Sequence, residues 1–380
     1  MLIKKHRTGK RRKGIPRVLH GPAFALVRAI AAVTQVCGLE GSSRAVRRAG
    51  ELFAHSPFNR ERLAKAKQSI ARCFPEFDER RVEDTAIESF RHLFQLAAEL
   101  TWTPRFISSD AYPYHIEMGP LAGALKELAR GGPTVLVTGH CGNWELLGTV
   151  LAMLGFPVHA VYRPLDMKPL DDWMYRTRIA KGLTLVSKFG AAADFDDIIR
   201  ANKPLGFIAD QNAGDRGVFV PFFNRLASSY KAIALLAIRH NASVICGHAG
   251  RVPPGDSSAN ENPGDVSRSF RYRLSAYDVI RPDDWADQPD PAFYITARYR
   301  RAIEMMVRAT PEQYLWMHRA WKSRPPHERT EPGETGPVKE FPARLRAKLE
   351  QLPWMTQRDL EIIIERSRLD AAEVREGVKH

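Results

Sequence analysis

The chain is short of cysteine. Cys37, Cys73, Cys141 and Cys246 are scattered over 380 residues without a C-x-x-C pair. That excludes a disulfide scaffold and a zinc knuckle, and it fits a reducing compartment. Negative charge is missing from the start, since no Asp or Glu lies between Met1 and Leu39. Nor is there a clean apolar run of the roughly twenty residues that a membrane-spanning helix needs. Pro22 to Gly38 (PAFALVRAIAAVTQVCG) is interrupted by Arg28, and Leu146 to Tyr162 is divided by Gly155, Pro157 and His159. No internal repeat is visible. There is also no RNA-recognition or helix-turn-helix signature and no basic stretch interleaved with stacking aromatics, so a nucleic-acid partner has no support beyond charge.

That charge is nevertheless large, at +14. Lys4, Lys5, Arg7, Lys10, Arg11, Arg12, Lys13, Arg17 and Arg28 supply nine positive charges before residue 39, leaving five for the rest of the chain. A surplus of this kind seeks nucleic acid, phospholipid headgroups or a phosphorylated substrate. Residues 1–20 therefore read as a basic arm, followed by an apolar stretch suited to the interface of an anionic membrane. Each Lys or Arg near such a surface contributes about 1 kcal/mol. A cleaved signal peptide is disfavoured, because the positive region is long and no good cleavage site ends the apolar run.

Apolar residues at three- and four-residue spacing predict helices over Arg60–Cys73 and Arg80–Leu100, separated by Phe74-Pro75. Strands then alternate with helices: Thr134–Thr138, Pro157–Tyr162, Thr184–Val186, Leu205–Ala209 and Ala242–His248 as strands, with helices over Asn143–Leu154, Asp171–Lys181, Asp194–Ala201 and Tyr230–Arg239 between them. This alternation predicts an α/β fold, a largely parallel sheet covered by helices, with an N-terminal helical segment. Arg251–Ser269 reads as a loop, Arg271–Val279 as an exposed edge strand and Ala292–Thr310 as a helix. The expected organisation is a catalytic unit over 21–329, helical over 21–115 and α/β over 116–329. A linker (TEPGETGPVKE) and a short helical tail, about Ala343–Gln351 and Arg358–Glu376, occupy 330–380.

The chemistry concentrates in TVLVTGHCGNWELLG. A buried strand ends at Thr138, and Gly139-His140-Cys141-Gly142 leads into a helix capped by Asn143. His140 lies in the turn and Glu145 in the first helical turn, so the carboxylate is expected to reach back and hold the imidazole as a general base. The helix N-terminus adds backbone donors for a developing anion. Cys141 invites a reading as a nucleophile, but burial against the helix is the commoner fate of such a cysteine. Asp210-Gln211-Asn212-Ala213-Gly214-Asp215 looks like a calcium loop, yet Pro221 stands where the bidentate Glu belongs, which rejects an EF-hand.

The His-x4-Glu block resembles the H-x4-D/E motif of lysophospholipid acyltransferase-like enzymes, specifically the bacterial lipid A late (lauroyl and myristoyl) acyltransferases. Three more blocks recur in order: Tyr162-Arg163-Pro164 followed by LDDWMYRTR, Asp210-Gln211 followed by RGVFVPFF, and Pro311 to Arg319 (PEQYLWMHR). The likeness spans about residues 20–325. It implies the glycerolipid acyltransferase-like αβα fold and transfer of a fatty acyl group from an acyl carrier protein or coenzyme A thioester to a hydroxyl of a membrane glycolipid, at the cytoplasmic face of the inner membrane. Neither a metal nor a cofactor beyond that co-substrate is implied. His140 would be the base and Glu145 its orienting group. From its place after a strand at the C-terminal edge of the sheet, Arg163 reads as a holder of phosphate or oxyanion or as a surface arginine before a proline turn, and Asp210 and Gln211 read as closing the cleft and orienting Arg216 or as a plain turn. Read from the residues themselves, the uncharged, aromatic Val218–Phe223 fits either the wall of an acyl channel or ordinary core, and Arg319 and Lys322, flanking Trp321, fit either a lipid headgroup or a solvated helix face. His318 and His248 read as structural. Acceptors such as a phosphoinositide mannoside or a lysophospholipid are the alternatives within the chemistry. A basic lipid- or nucleic-acid-binding protein, or an inactive scaffold, is the alternative outside it. The chain departs from the family pattern in lacking a clear N-terminal membrane helix and in its tail after Arg329.

Overall fold

A computed structural model describes residues 16–108, 110–189, 192–253, 270–329 and 341–376. Most of the basic arm, the greater part of the 251–269 loop and the linker at 330–340 lie outside the described residues. Four helices come first: α1 (His20–Val36), α2 (Leu39–His55), α3 (Arg60–Cys73) and α4 (Glu79–Phe106). The α/β part runs β1 (Ile116–Met118), α5 (Ala122–Ala129), β2 (Thr134–Thr138), α6 (Trp144–Met153), β3 (His159–Tyr162), α7 (Lys168–Ile179), β4 (Thr184–Ser187), α8 (Ala192–Arg200) and β5 (Leu205–Ile208). A hairpin follows, β6 (Val218–Phe222) with β7 (Arg225–Ser229), then α9 (Lys231–His240), β8 (Ser243–Arg251) and β9 (Tyr272–Ile280). The chain ends with α10 (Pro282–Trp285), α11 (Pro291–Ala309), α12 (Pro326–Arg329), α13 (Phe341–Leu349) and α14 (Gln357–Arg375).

Seven strands form one sheet in the order β1-β9-β8-β2-β5-β3-β4. All neighbours pair in parallel except β8 and β9. The largely parallel α/β architecture with an N-terminal helical segment is therefore present. Successive side chains point to opposite faces of a strand, and β2 shows the consequence. Val135 and Val137 enter the main core with α9 and α11, whereas Leu136 faces α5 and α6. Both faces are covered, which is why the strands read as continuous apolar runs.

Two expectations need correction. The segment expected to be an exposed edge strand is β9, an interior strand flanked by β8 and β1, with Tyr272 and Leu274 fully buried. Its outer neighbour, β1, is only three residues long. Such a strand carries no periodic signal and exists because β9 supplies its hydrogen-bond partners. The N-terminal helix is also longer than its apolar run suggests. With a preceding helical turn it covers Arg17–Val36, 20 residues, which by length and composition alone is apolar enough to cross a membrane. Pro22 does not stop it, because a proline in the first turn gives up an N–H that has no partner there anyway. Leu26, Ile30, Val33 and Val36 stay exposed, while Phe24 and Arg28 pack on Trp173 of α7.

The core continues across residue 330. Leu349, Leu352, Leu360 and Ile363 join the same apolar cluster as β2 and α11. Asp370 of α14 is fully buried and accepts two hydrogen bonds from Arg225 of β7, at 2.7 and 2.9 Å, and one from Arg324 at 2.7 Å. Burial alone would raise the Asp370 carboxyl; the hydrogen bonds and charges of the arginines hold it below its ordinary value. Breaking a buried pair leaves an uncompensated charge, at a cost of about 3–5 kcal/mol. Asp370→Ala is thus expected to lower the chemical-denaturation stability of the whole chain by about that amount. An unchanged unfolding midpoint would show that the tail merely leans on the fold.

Candidate active site

The site starts from a backbone that has almost no freedom. Gly142, in the turn after β2, has φ +60°, and a Cβ there would lie 2.1 Å from the carbonyl oxygen of Ala249. Only glycine fits such an approach. Around it, Asn143 N donates to Ala249 O at 2.8 Å, Gly142 N to Gln313 O at 3.1 Å, and Leu315 N to His140 O at 3.1 Å. The buried His92 of α4 donates its Nε2 proton to Gly142 O at 3.1 Å; burial, with Arg251 nearby, lowers its pKa to about 3, so it is neutral. Gln313 in turn binds both backbone groups of Arg251, and Arg251 forms an ion pair with Glu99 of α4 at 2.6 Å. The block around Pro311–Leu315 is therefore a clamp on the histidine turn. Asn143 caps α6 as expected, its Oδ1 accepting from Leu146 N at 3.0 Å.

His140 projects from this turn and is partly open, with 17% of its side chain exposed. Its Nδ1 is 2.7 Å from Oδ1 of Asp210, which is fully buried two residues beyond β5. β2 and β5 are adjacent, and Ala209 N donates to Thr138 O at 2.8 Å, so neighbouring strand ends present both side chains. Burial would push the Asp210 carboxyl up, but the charge and hydrogen bond of His140, with His318 and Arg300 adding, hold it well below the usual carboxylate range. An ionised Asp210 accepts the Nδ1 proton and leaves the Nε2 lone pair free to act as a base. The ring lies 4.7 Å from His318 and 5.0 Å from Trp144, centroid to centroid. His318, read from sequence as structural, is a neighbour of His140, and burial followed by the charge of His140 lowers its pKa to about 4.

The expected contact between Glu145 and the imidazole is not the one formed. Glu145 lies in the two-pronged grip of Arg178 from α7, with Nε–Oε2 at 2.8 Å and Nη2 on Oε1. In the first turn of α6 its side chain points sideways to α7, while Trp144 occupies the side next to the ring. Asp210 likewise spends its Oδ1 on His140 rather than on Arg216, which is exposed in the turn between Gly214 and Gly217. Gln211 is half-buried near His318. Arg163 follows β3 and is exposed at the cavity mouth, close enough to Lys188 to lower that ammonium's pKa, burial being the larger cause. Arg319 is exposed beside His318. Trp321, expected at a headgroup surface, is instead buried against Phe222 and Arg225.

His140, Glu145, Arg163 and Arg178 border a cavity of about 290 Å³. It runs between one face of the sheet and helices α5 to α7, lined by Leu136, Ile208, Ala160, Leu147, Leu151 and Met174 among others. Its far end, near Leu128, Val158 and Leu183, lies toward the N-terminal ends of the strands. The mouth is at their C-terminal ends, where ligands of open α/β sheets collect. Of the two readings of Val218–Phe223, channel wall or core, the structure takes the second, with Val220, Phe222 and Phe223 in the main core. Among the described residues no cluster of three or more His, Cys, Asp or Glu could hold a metal.

A sequence profile described as bacterial lipid A biosynthesis acyltransferase matches residues 16–323. The chain is 22% identical over 272 residues to the lipid A biosynthesis palmitoleoyltransferase of Escherichia coli (strain K12), covering 71% of this chain and 81% of the relative. A lipid A biosynthesis acyltransferase of Haemophilus influenzae is 27% identical over 285 residues, 73% of this chain and 82% of the relative. The lipid A biosynthesis lauroyltransferase of E. coli is 24% identical over 279 residues, 70% and 81%.

The buried Cys141 thiol is pushed up to about 12, chiefly by burial, and its sulfur faces Met306 O and Thr310. A thiolate is the reactive form. Iodoacetamide at pH 8 is therefore expected to alkylate the exposed Cys37 and to leave Cys141 unmodified by peptide mass spectrometry until the protein unfolds. Equal labelling of both in the folded protein would revive Cys141 as a nucleophile.

Proposed function

Since the chain belongs to the bacterial lipid A biosynthesis acyltransferase family, and is an acyltransferase, we propose that it transfers a fatty acyl group from an acyl carrier protein or coenzyme A thioester to a hydroxyl of a lipid A-type glycolipid. The observation that carries this reading is a carboxylate-held histidine at the mouth of an apolar cavity. A chain threaded along that cavity buries methylenes at about 0.8 kcal/mol each and leaves its thioester beside His140.

His140 Nε2 takes the proton of the acceptor hydroxyl as the oxygen attacks the thioester carbonyl. Asp210 keeps the imidazolium oriented and balances its charge. The tetrahedral intermediate then collapses, the C–S bond breaks, and the proton on Nε2 leaves with the thiolate. Glu145 works through Arg178, holding the guanidinium at the mouth where charge develops on the carbonyl oxygen. Arg163, with Lys188 close by, offers cations to the phosphates of acceptor or donor; Gln211 steadies His318, and Arg319 and Arg216 contribute to the basic rim. The exposed apolar face of α1 brings this mouth to the cytoplasmic membrane surface, where anionic lipid attracts the positive N-terminus.

Two measurements test the reading. His140→Ala is expected to lower turnover with a long-chain acyl thioester by about 10²- to 10⁴-fold without loss of fold, and wild-type turnover would remove the base from the mechanism. Leu128→Phe, at the far end of the cavity, is expected to shift preference toward shorter acyl chains in a mixed-donor assay read by lipid mass spectrometry. An unchanged chain-length profile would place the acyl chain elsewhere.

A further inference from the structure

A second buried charge stands beside Asp210. Arg300 of α11 is fully buried, and its Nη1 donates to the carbonyl oxygen of Ala209 at 3.0 Å. Its guanidinium lies 4.0 Å over the ring of Phe222. Nε and Nη2 have no hydrogen-bond partner among the described residues. A guanidinium does not give up its proton, and a buried charge without compensation costs several kcal/mol. Other buried arginines here meet carboxylates directly: Arg225 and Arg324 hold Asp370, and Arg251 holds Glu99. Arg300 instead grips the backbone next to Asp210, and its charge is one of those acting on that carboxylate. The residues facing it fit this use, since Tyr230, Tyr299 and Tyr314 are tyrosines whose burial keeps them neutral.

We propose that Arg300 is a positioning residue for the reaction: its fixed charge balances the Asp210 carboxylate, and its bond to Ala209 sets the backbone from which Asp210 reaches His140. The geometry amounts to a relay from α11 to the base, Arg300–Asp210–His140, in which only the last member meets substrate. The inference rests on His140 and Asp210 acting as described above. A lysine would preserve the charge while losing the planar fork; a methionine would preserve the bulk and lose the charge.

The test is a double-mutant cycle of Arg300→Met and Asp210→Asn in the full chain, with Arg300→Lys beside it. Thermal midpoints are read together with kcat and KM for the acyl thioester. Arg300→Met is expected to lower kcat about tenfold or more with KM little changed, Arg300→Lys to recover most of it, and Arg300→Met to cost nothing further in the Asp210→Asn background. The two single variants should each lower the midpoint, and the double variant by less than their sum. Additive losses in both stability and kcat would overturn the proposal. So would an Arg300→Met that folds in neither background, since Arg300 would then be a support for α11 alone. The stability arm needs no turnover, so a failure of the acyl-transfer reading would leave it intact and distinguishable.

Discussion

An imidazole has two nitrogens, and this fold commits one of them. Nδ1 of His140 is 2.7 Å from a carboxylate with no exposure to solvent, and that bond fixes both the tautomer and the direction of the free Nε2 lone pair. The rest of the site exists to hold the pair. Asp210 arrives on the strand adjacent to the one that carries His140, so parallel pairing itself sets their spacing. The turn is locked by Gly142, by the carbonyl of Ala249 and by the Gln313 clamp. Helix α4 adds a hand from the opposite side through His92 and Glu99.

The sheet separates two jobs. One face carries the tightly packed core with α9, α11 and the C-terminal helices. The other leaves a gap under α5 to α7 that opens next to His140. Close packing on the first face supplies rigidity, and the gap on the second supplies room for an apolar chain. The polar groups gather only at the mouth, where Glu145 is tied to Arg178. The exposed apolar helix α1 packs against α7, the helix that carries Arg178, so the element proposed to meet the membrane and the mouth are neighbours.

Much of this was legible in the sequence because it is local. The strand Thr134–Thr138, its glycine-rich turn and the Asn143 cap lie within ten residues of one another, and their meaning does not depend on tertiary contacts. The alternating strands and helices from β2 to α9 were readable for the same reason. What was not legible depends on residues far apart in the chain. Asp210 is seventy positions from His140, and a sequence alone offers Glu145 as the nearer carboxylate. Arg178, which claims Glu145, comes from another helix. The three-residue β1 and the interior place of β9 depend on pairing, and His318 looked structural because its neighbour is His140 only in space. The tail looked separate by its composition, yet Asp370 pairs with two arginines buried in the main body.

The central claim is that Asp210, not Glu145, holds His140. Nitrogen-15 NMR of histidine-labelled protein measures it directly, through the hydrogen-bonded Nδ1 proton of His140. The account predicts a downfield Nδ1–H resonance that is lost in Asp210→Asn and retained in Glu145→Gln. A resonance that survives Asp210→Asn and disappears in Glu145→Gln would contradict it.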